Sequence, residues 1–189
     1  MTALIRELLD FWFLPLSDPG HGGRRELWWK STPEFDAEIS ARFGAAMEDA
    51  IAGRLDGWRQ SPDGALALLL LTDQFPRNVW RRTARAFSGD EHARATARLA
   101  LARHYPLAYG PQIRTFFYLP FEHSEAMADQ ELSCALFATI GTDDALKFAI
   151  DHRDIVARFG RFPHRNEALG RPSTQEEIAW LKDGARFGQ

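Results

Sequence analysis

Two polar phrases of similar wording stand out in this 189-residue chain. Phe75-Pro76-Arg77-Asn78 follows Asp73-Gln74, and Phe162-Pro163-His164-Arg165-Asn166 follows Arg158-Phe159-Gly160-Arg161. Each joins a helix-interrupting proline to a guanidinium and a side-chain amide. Between them lies Phe121-Glu122-His123-Ser124-Glu125, a third polar cluster with an aromatic lead. These residue types suit acid–base chemistry on an anion: an imidazole moves a proton near neutral pH, a carboxylate orients it, and arginines hold negative charge. The expected site uses His123 or His152 to move the proton, with Asp73 or Glu125 orienting it. Arg77, Asn78, Arg161, His164, Arg165 and Asn166 make up the ligand-binding set, with aromatic walls from Phe75, Phe121 and Phe162.

Each of these residues has a plain structural role open to it as well. His152 falls in the apolar stripe of Phe148, Ala149, Ile155, Val156 and Phe159, so it faces the interior, either as a core histidine or as part of a site. Asp73 shares a face with Leu66, Leu69 and Leu70, and a carboxylate there needs a partner or a proton. Arg77 and Asn78 are near it in sequence, Arg161 and Arg165 distant. Glu125 continues the line of Leu132 and Leu136 and reads as a second inward carboxylate. Two residues apart on one helix, His123 and Glu125 diverge, so they converge only if a helix starts at Ser124. Arg153, Arg158, Arg161, Arg165 and Arg171 outnumber Asp154 and Glu167 in the last cluster, which serves either an anion or the buried carboxylates.

Glycine and proline divide the chain into helices, with no strand alternation. The first runs from about Thr2 to Phe13 and stops before Leu14-Pro15. Thr32 caps the second, with Pro33 at its first position and Phe35, Ile39, Phe43, Met47 and Ile51 at helical spacing. Ala65 to about Gln74 is apolar nearly all round and is the central buried helix, which Pro76 kinks or breaks. Asp90 to His104, Glu125 to Ile140 and Asp143 to Arg158 follow, and Tyr105-Pro106 with Gly110-Pro111 brackets a connection. Ser173-Thr174 with Glu176-Glu177 opens a last helix that ends near Phe187. The fold expected is all-α: a single domain over residues 1–189 of stacked antiparallel helical hairpins.

Composition narrows the function classes. A net charge of −3 argues against general nucleic-acid or anionic-membrane binding. Cys134 is alone, which excludes a disulfide framework and fits a reducing compartment. The charged N-terminus does not read as a signal peptide, and Leu66–Leu71 is far too short for a membrane span, so a cytoplasmic protein is expected. No HExxH, GxxxxGK or GxGxxG is present, and no metal or cofactor is expected. Ser124 lacks the setting of a serine nucleophile.

Read in order, Leu9-Asp10-Phe11-Trp12-Phe13, Trp28-Trp29, Phe35-Asp36, the two proline phrases, Phe117 to Glu125 and Leu169-Gly170-Arg171-Pro172-Ser173-Thr174 carry a resemblance. The chain resembles the bacterial domain-of-unknown-function family 924 over almost its whole length. That resemblance implies a compact tetratricopeptide-like helical fold and no established activity. The functional expectation is a pocket that binds or hydrolyses a small anionic metabolite. The alternative is a tetratricopeptide-like module that binds a protein partner, with Trp12, Trp28, Trp29 and Trp80 as candidate contact residues and the polar phrases as structural locks.

Overall fold

The computed structural model describes residues 2–182, and every regular element among them is helical. Helix α1 (Ala3–Phe13) begins where the Thr2 hydroxyl accepts the Ile5 N–H at 3.3 Å. Helix α2 (Pro33–Ile51) is capped in the same way by Thr32, and Pro33 fills a position whose N–H would have no partner. Phe11 stacks on Phe35 at 5.0 Å, and Trp12 meets Phe75 at 5.3 Å, so the chain's aromatic content becomes the seam between α1, α2 and the centre.

The centre is α3 (Pro62–Leu69), in which every residue from Gly64 on is buried. It does not end at Gln74 in a simple kink. Leu70–Gln74 form a widened π-type turn, and α4 (Phe75–Val79) continues from it. The Phe75 N–H reaches back to the Leu70 carbonyl, which absorbs an extra residue ahead of Pro76. Pro76 has no N–H to give the Thr72 carbonyl. That carbonyl packs instead on the backbone of Gly89, where a Cβ would lie 2.2 Å from the oxygen. Gly89 is the N-cap of α5 (Asp90–Ala102), so this contact sets where α5 starts.

The remaining helices are α6 (Pro111–Glu122), α7 (Met127–Ala138), α8 (Asp143–Phe159) and the short α9 (Gln175–Trp180). Sequence reasoning assigned no helix to 111–122, where Gly110-Pro111 was read as closing a connection; burial of nearly the whole segment holds it helical despite the internal Pro120. The expected start of the next helix at Glu125 shifts to Met127, since Ser124 does not cap it but spans the turn, donating to Asp129 Oδ2 at 2.8 Å. Short connections fold α6, α7 and α8 back on one another. Gly160, at φ 69°, ends α8 in the left-handed conformation and turns the chain towards Phe162. Both bonds of a capping box join Thr174 and Glu177 at the start of α9. The expected end of that helix near Phe187 lies outside the described residues. Most apolar side chains join one core; Ile155, Val156 and Phe162, with Phe159 and Trp180, form a second, small cluster. No helix among the described residues is long and apolar enough to cross a membrane.

Candidate functional site

The π-turn aims Asp73 inward, at 1% exposure, on the apolar side of the central segment. His123 ends α6 and meets it: Nδ1 lies 2.8 Å from Asp73 Oδ1. Arg77, one helical turn after Asp73, contacts the same oxygen at 3.1 Å and grips Asp90 through both terminal nitrogens at 2.9 and 3.1 Å. Arg165 arrives from the second proline phrase. Its Nη1 donates to the His123 carbonyl at 2.9 Å and stands 3.7 Å from Asp90. Its guanidinium lies between the rings of Phe87 (4.8 Å) and Phe162 (4.4 Å). Phe162 also touches the rings of His152 and His164, at 5.7 and 5.5 Å. His152 donates from Nδ1 to the Phe148 carbonyl at 2.8 Å, and Glu122 Oε1 is 3.7 Å from that nitrogen. A cavity of about 370 Å³ opens beside this cluster, lined by Phe87, Asp90, Arg94, His123, Arg165 and Leu169 among others.

Burial and charge sort the protons. Burial would raise the Asp73 carboxyl, but Arg77 and the His123 and Gln74 hydrogen bonds outweigh it and hold the group ionised, well below the carboxylate range. Burial pushes Glu122 up to about 8, helped by the Asp73 charge, so it keeps its proton at neutral pH. Two nearby carboxyls therefore differ in state, the arrangement that separates an acid from a base. Burial, then the Arg77 charge, lowers His123 against the pull of Asp73, so its ring is neutral. With Nδ1–H given to the Asp73 carboxylate, Nε2 is the basic nitrogen. Burial also lowers His152 and His164, each to about 3. Arg165 drops to about 10 through burial and repulsion by Arg77, and remains charged.

Asp73, Arg77, His123, His152 and Arg165 thus come together, with His164 alongside Phe162. Four other candidates have partners of their own, and only Glu125 among them reaches the cavity. Glu125 takes two bonds from Arg171, at 2.7 and 2.9 Å, and one from the Phe162 N–H at 2.8 Å, so it touches the cavity rim with its charge already matched. Arg161 pairs with Glu177 at 2.7 and 2.8 Å. Asn166 donates to Ser173 and Glu177 and accepts from Arg171. Asn78 binds Asp36 at 2.8 Å, tying α4 to α2. Of the expected walls only Phe162 adjoins the cluster: Phe75 packs with Trp12 and Phe43, and Phe121 lies under Arg98. Sequence reasoning missed Asp90, Phe87 and Arg94, which stand in and before α5 without a polar motif. The one signal was Gly89, a glycine directly before an acidic helix start. Among the described residues no three His, Cys, Asp or Glu side chains gather as metal ligands.

A family model described as "Bacterial protein of unknown function (DUF924)" matches residues 8–185. The chain is similar to a solved structure described as a protein of unknown function, ATU0120, from Agrobacterium tumefaciens. The two share 41% sequence identity over 96% of this chain and 98% of that one, with a TM-score of 0.86. No curated protein matches the sequence.

Proposed function

Since the chain belongs to the DUF924 family of bacterial proteins of unknown function, membership brings no activity, and we propose from the site itself an acid–base enzyme acting on a small anionic molecule. His123 Nε2 takes the proton of a water or substrate group. Asp73 fixes the ring tautomer and stabilises the imidazolium as it forms. Arg165 holds the anion, and protonated Glu122 is a proton source within the cluster. The observation that carries this reading is the 2.8 Å contact between a neutral imidazole and a buried, ionised carboxylate beside a cavity that His123 itself lines. Hydrolysis is the reaction class that needs least beyond these parts, since water is the only co-reactant.

The test is a panel of carboxylic esters, amides and phosphoesters, with and without divalent cations, on the purified chain. His123→Ala should cost about 10²- to 10⁴-fold in turnover while circular dichroism stays unchanged. Asp73→Asn should slow the same substrate. Turnover that survives His123→Ala sinks the assignment.

A second reading, a helical interaction module, has its own support in residues whose charges are already matched within the fold. Glu125 with Arg171, and Arg161 with Glu177, fasten one helix end to another and need no ligand to explain them.

A further inference from the structure

We infer that the ligand of this cavity is a monocarboxylate with a compact apolar body, rather than a phosphate ester. The inference rests on reading the cavity as the substrate site, and it adds the chemistry of what enters.

The charges around the cavity do not cancel. Glu125 is matched by the bidentate Arg171, and Asp129 by Arg98. Around the cavity the guanidiniums of Arg77, Arg94 and Arg165 then face the carboxylates of Asp73 and Asp90. One positive charge is left over, since Arg94 reaches Asp129 only at 3.9 Å. A monoanion cancels that excess. The dianion of a phosphate monoester would leave negative charge beside Asp90, whose side chain is only 13% exposed.

Arg165, only 5% exposed, lines the cavity while its Nε has no hydrogen-bond partner. A buried guanidinium donor left open is costly unless something fills it. The His123 carbonyl and Asp90 both engage Nη1, so it is the enclosed Nε edge of the fork that lacks a partner. The rings of Phe87 and Phe162 hold the guanidinium plane between them. A planar fork of fixed orientation suits a planar carboxylate, which takes two parallel N–H donors. Along the cavity wall, Phe87, Ala126 and Leu169 offer apolar surface to the rest of the ligand.

Calorimetric titration of the full-length chain at neutral pH tests this, with hexanoate and benzoate set against butyl phosphate and phenyl phosphate. The carboxylates should bind at least about tenfold more tightly than their phosphate counterparts. Arg165→Gln and Arg165→Lys should both weaken the carboxylates by about tenfold or more, because lysine keeps the charge and loses the fork. Equal or tighter phosphate binding overturns the inference, and so does the absence of binding by every anion in the panel. Unchanged carboxylate affinity in both variants overturns it too. The ranking of anions on the wild-type chain needs no variant to fold. Carboxylate binding without turnover of any ester or amide would count against the acid–base reading alone, whereas turnover confined to phosphoesters would sink only the carboxylate assignment.

Discussion

The arginines of the two proline phrases, Arg77 and Arg165, differ in what depends on them. Arg77 is the shared partner of Asp73 and Asp90, both largely buried. Arg77→Ala takes the close guanidinium from Asp73, leaving it His123 and Gln74, and the bidentate partner from Asp90, and should cost about 3–5 kcal/mol, a fall in Tm of roughly 10 °C or more for a chain of this size. Arg165→Ala strands neither, since Asp90 keeps both bonds to Arg77. Its melting temperature should fall clearly less, and thermal melts of the pair decide the point: equal losses would make Arg165 a lock as well. Glu122 gives a pH signature. Its carboxyl sits near 8 in the folded chain against an ordinary value of 4.5. Between those values the folded state keeps a proton that the unfolded state releases, so stability falls as pH rises, by up to about 1.4 kcal/mol per pH unit from this group. Glu122→Gln should flatten that slope in urea titrations run from mildly acidic to mildly alkaline pH. His152 acts in the opposite direction. Held near 3 against 6.5, it supports the fold above pH 6.5 and withdraws that support as pH falls towards 3.

At the scale of elements, the central segment is the structural decision on which the site depends. Were α3 to run on as a regular α-helix, Pro76 would clash with the Thr72 carbonyl and remove its hydrogen bond. The π-turn takes up the extra residue, and the Thr72 carbonyl, which Pro76 cannot serve, finds room only because position 89 lacks a side chain. Gly89 has φ −95°, a value open to any residue, so its requirement is steric and not conformational. Gly89→Ala should therefore destabilise by about 1–3 kcal/mol, despite alanine's better helix propensity. The start of α5 should shift with it, moving Asp90 away from Arg77 and lowering any site activity together with stability. A neutral Gly89→Ala in chemical denaturation would mean that the contact is slack.

Across the whole molecule, the site lies where a large core meets a small apolar cluster. The joint is polar: Arg171 binds Glu125 twice, the Phe162 carbonyl at 3.1 Å and Asn166 at 3.0 Å. Arg171→Ala should release the segment from Phe162 to α9 without melting the main core. Lost charged hydrogen bonds of this kind amount to about 2–3 kcal/mol, so amide exchange in that segment should quicken on the order of 10- to 100-fold while α3 stays protected. Uniform acceleration through α3 would show that the two clusters unfold as one. The candidate interface tryptophans belong mainly to the main core: Trp12 and Trp28 are buried, Trp80 stacks under Arg85, and Trp29 alone is about half exposed.

What the sequence determined by itself was local. Caps, apolar spacing and composition were enough for the helical class, for α1, α2, α5 and α8, for the Thr174 capping box and for the inward faces of Asp73 and His152. These depend on neighbours three or four residues away, which a sequence displays. Pairing between distant residues was decided only by the tertiary structure. Ten polar residues looked like one site because their phrases looked alike, yet Asn78 went to Asp36, Arg161 to Glu177 and Glu125 to Arg171. A guanidinium has no local preference among carboxylates. Its partner is whichever one packing brings within about 3 Å in a place too dry to leave it unpaired. The same holds for α6, which the sequence reading left unassigned after Gly110-Pro111; burial on most of its residues made the helix the only way to satisfy its backbone.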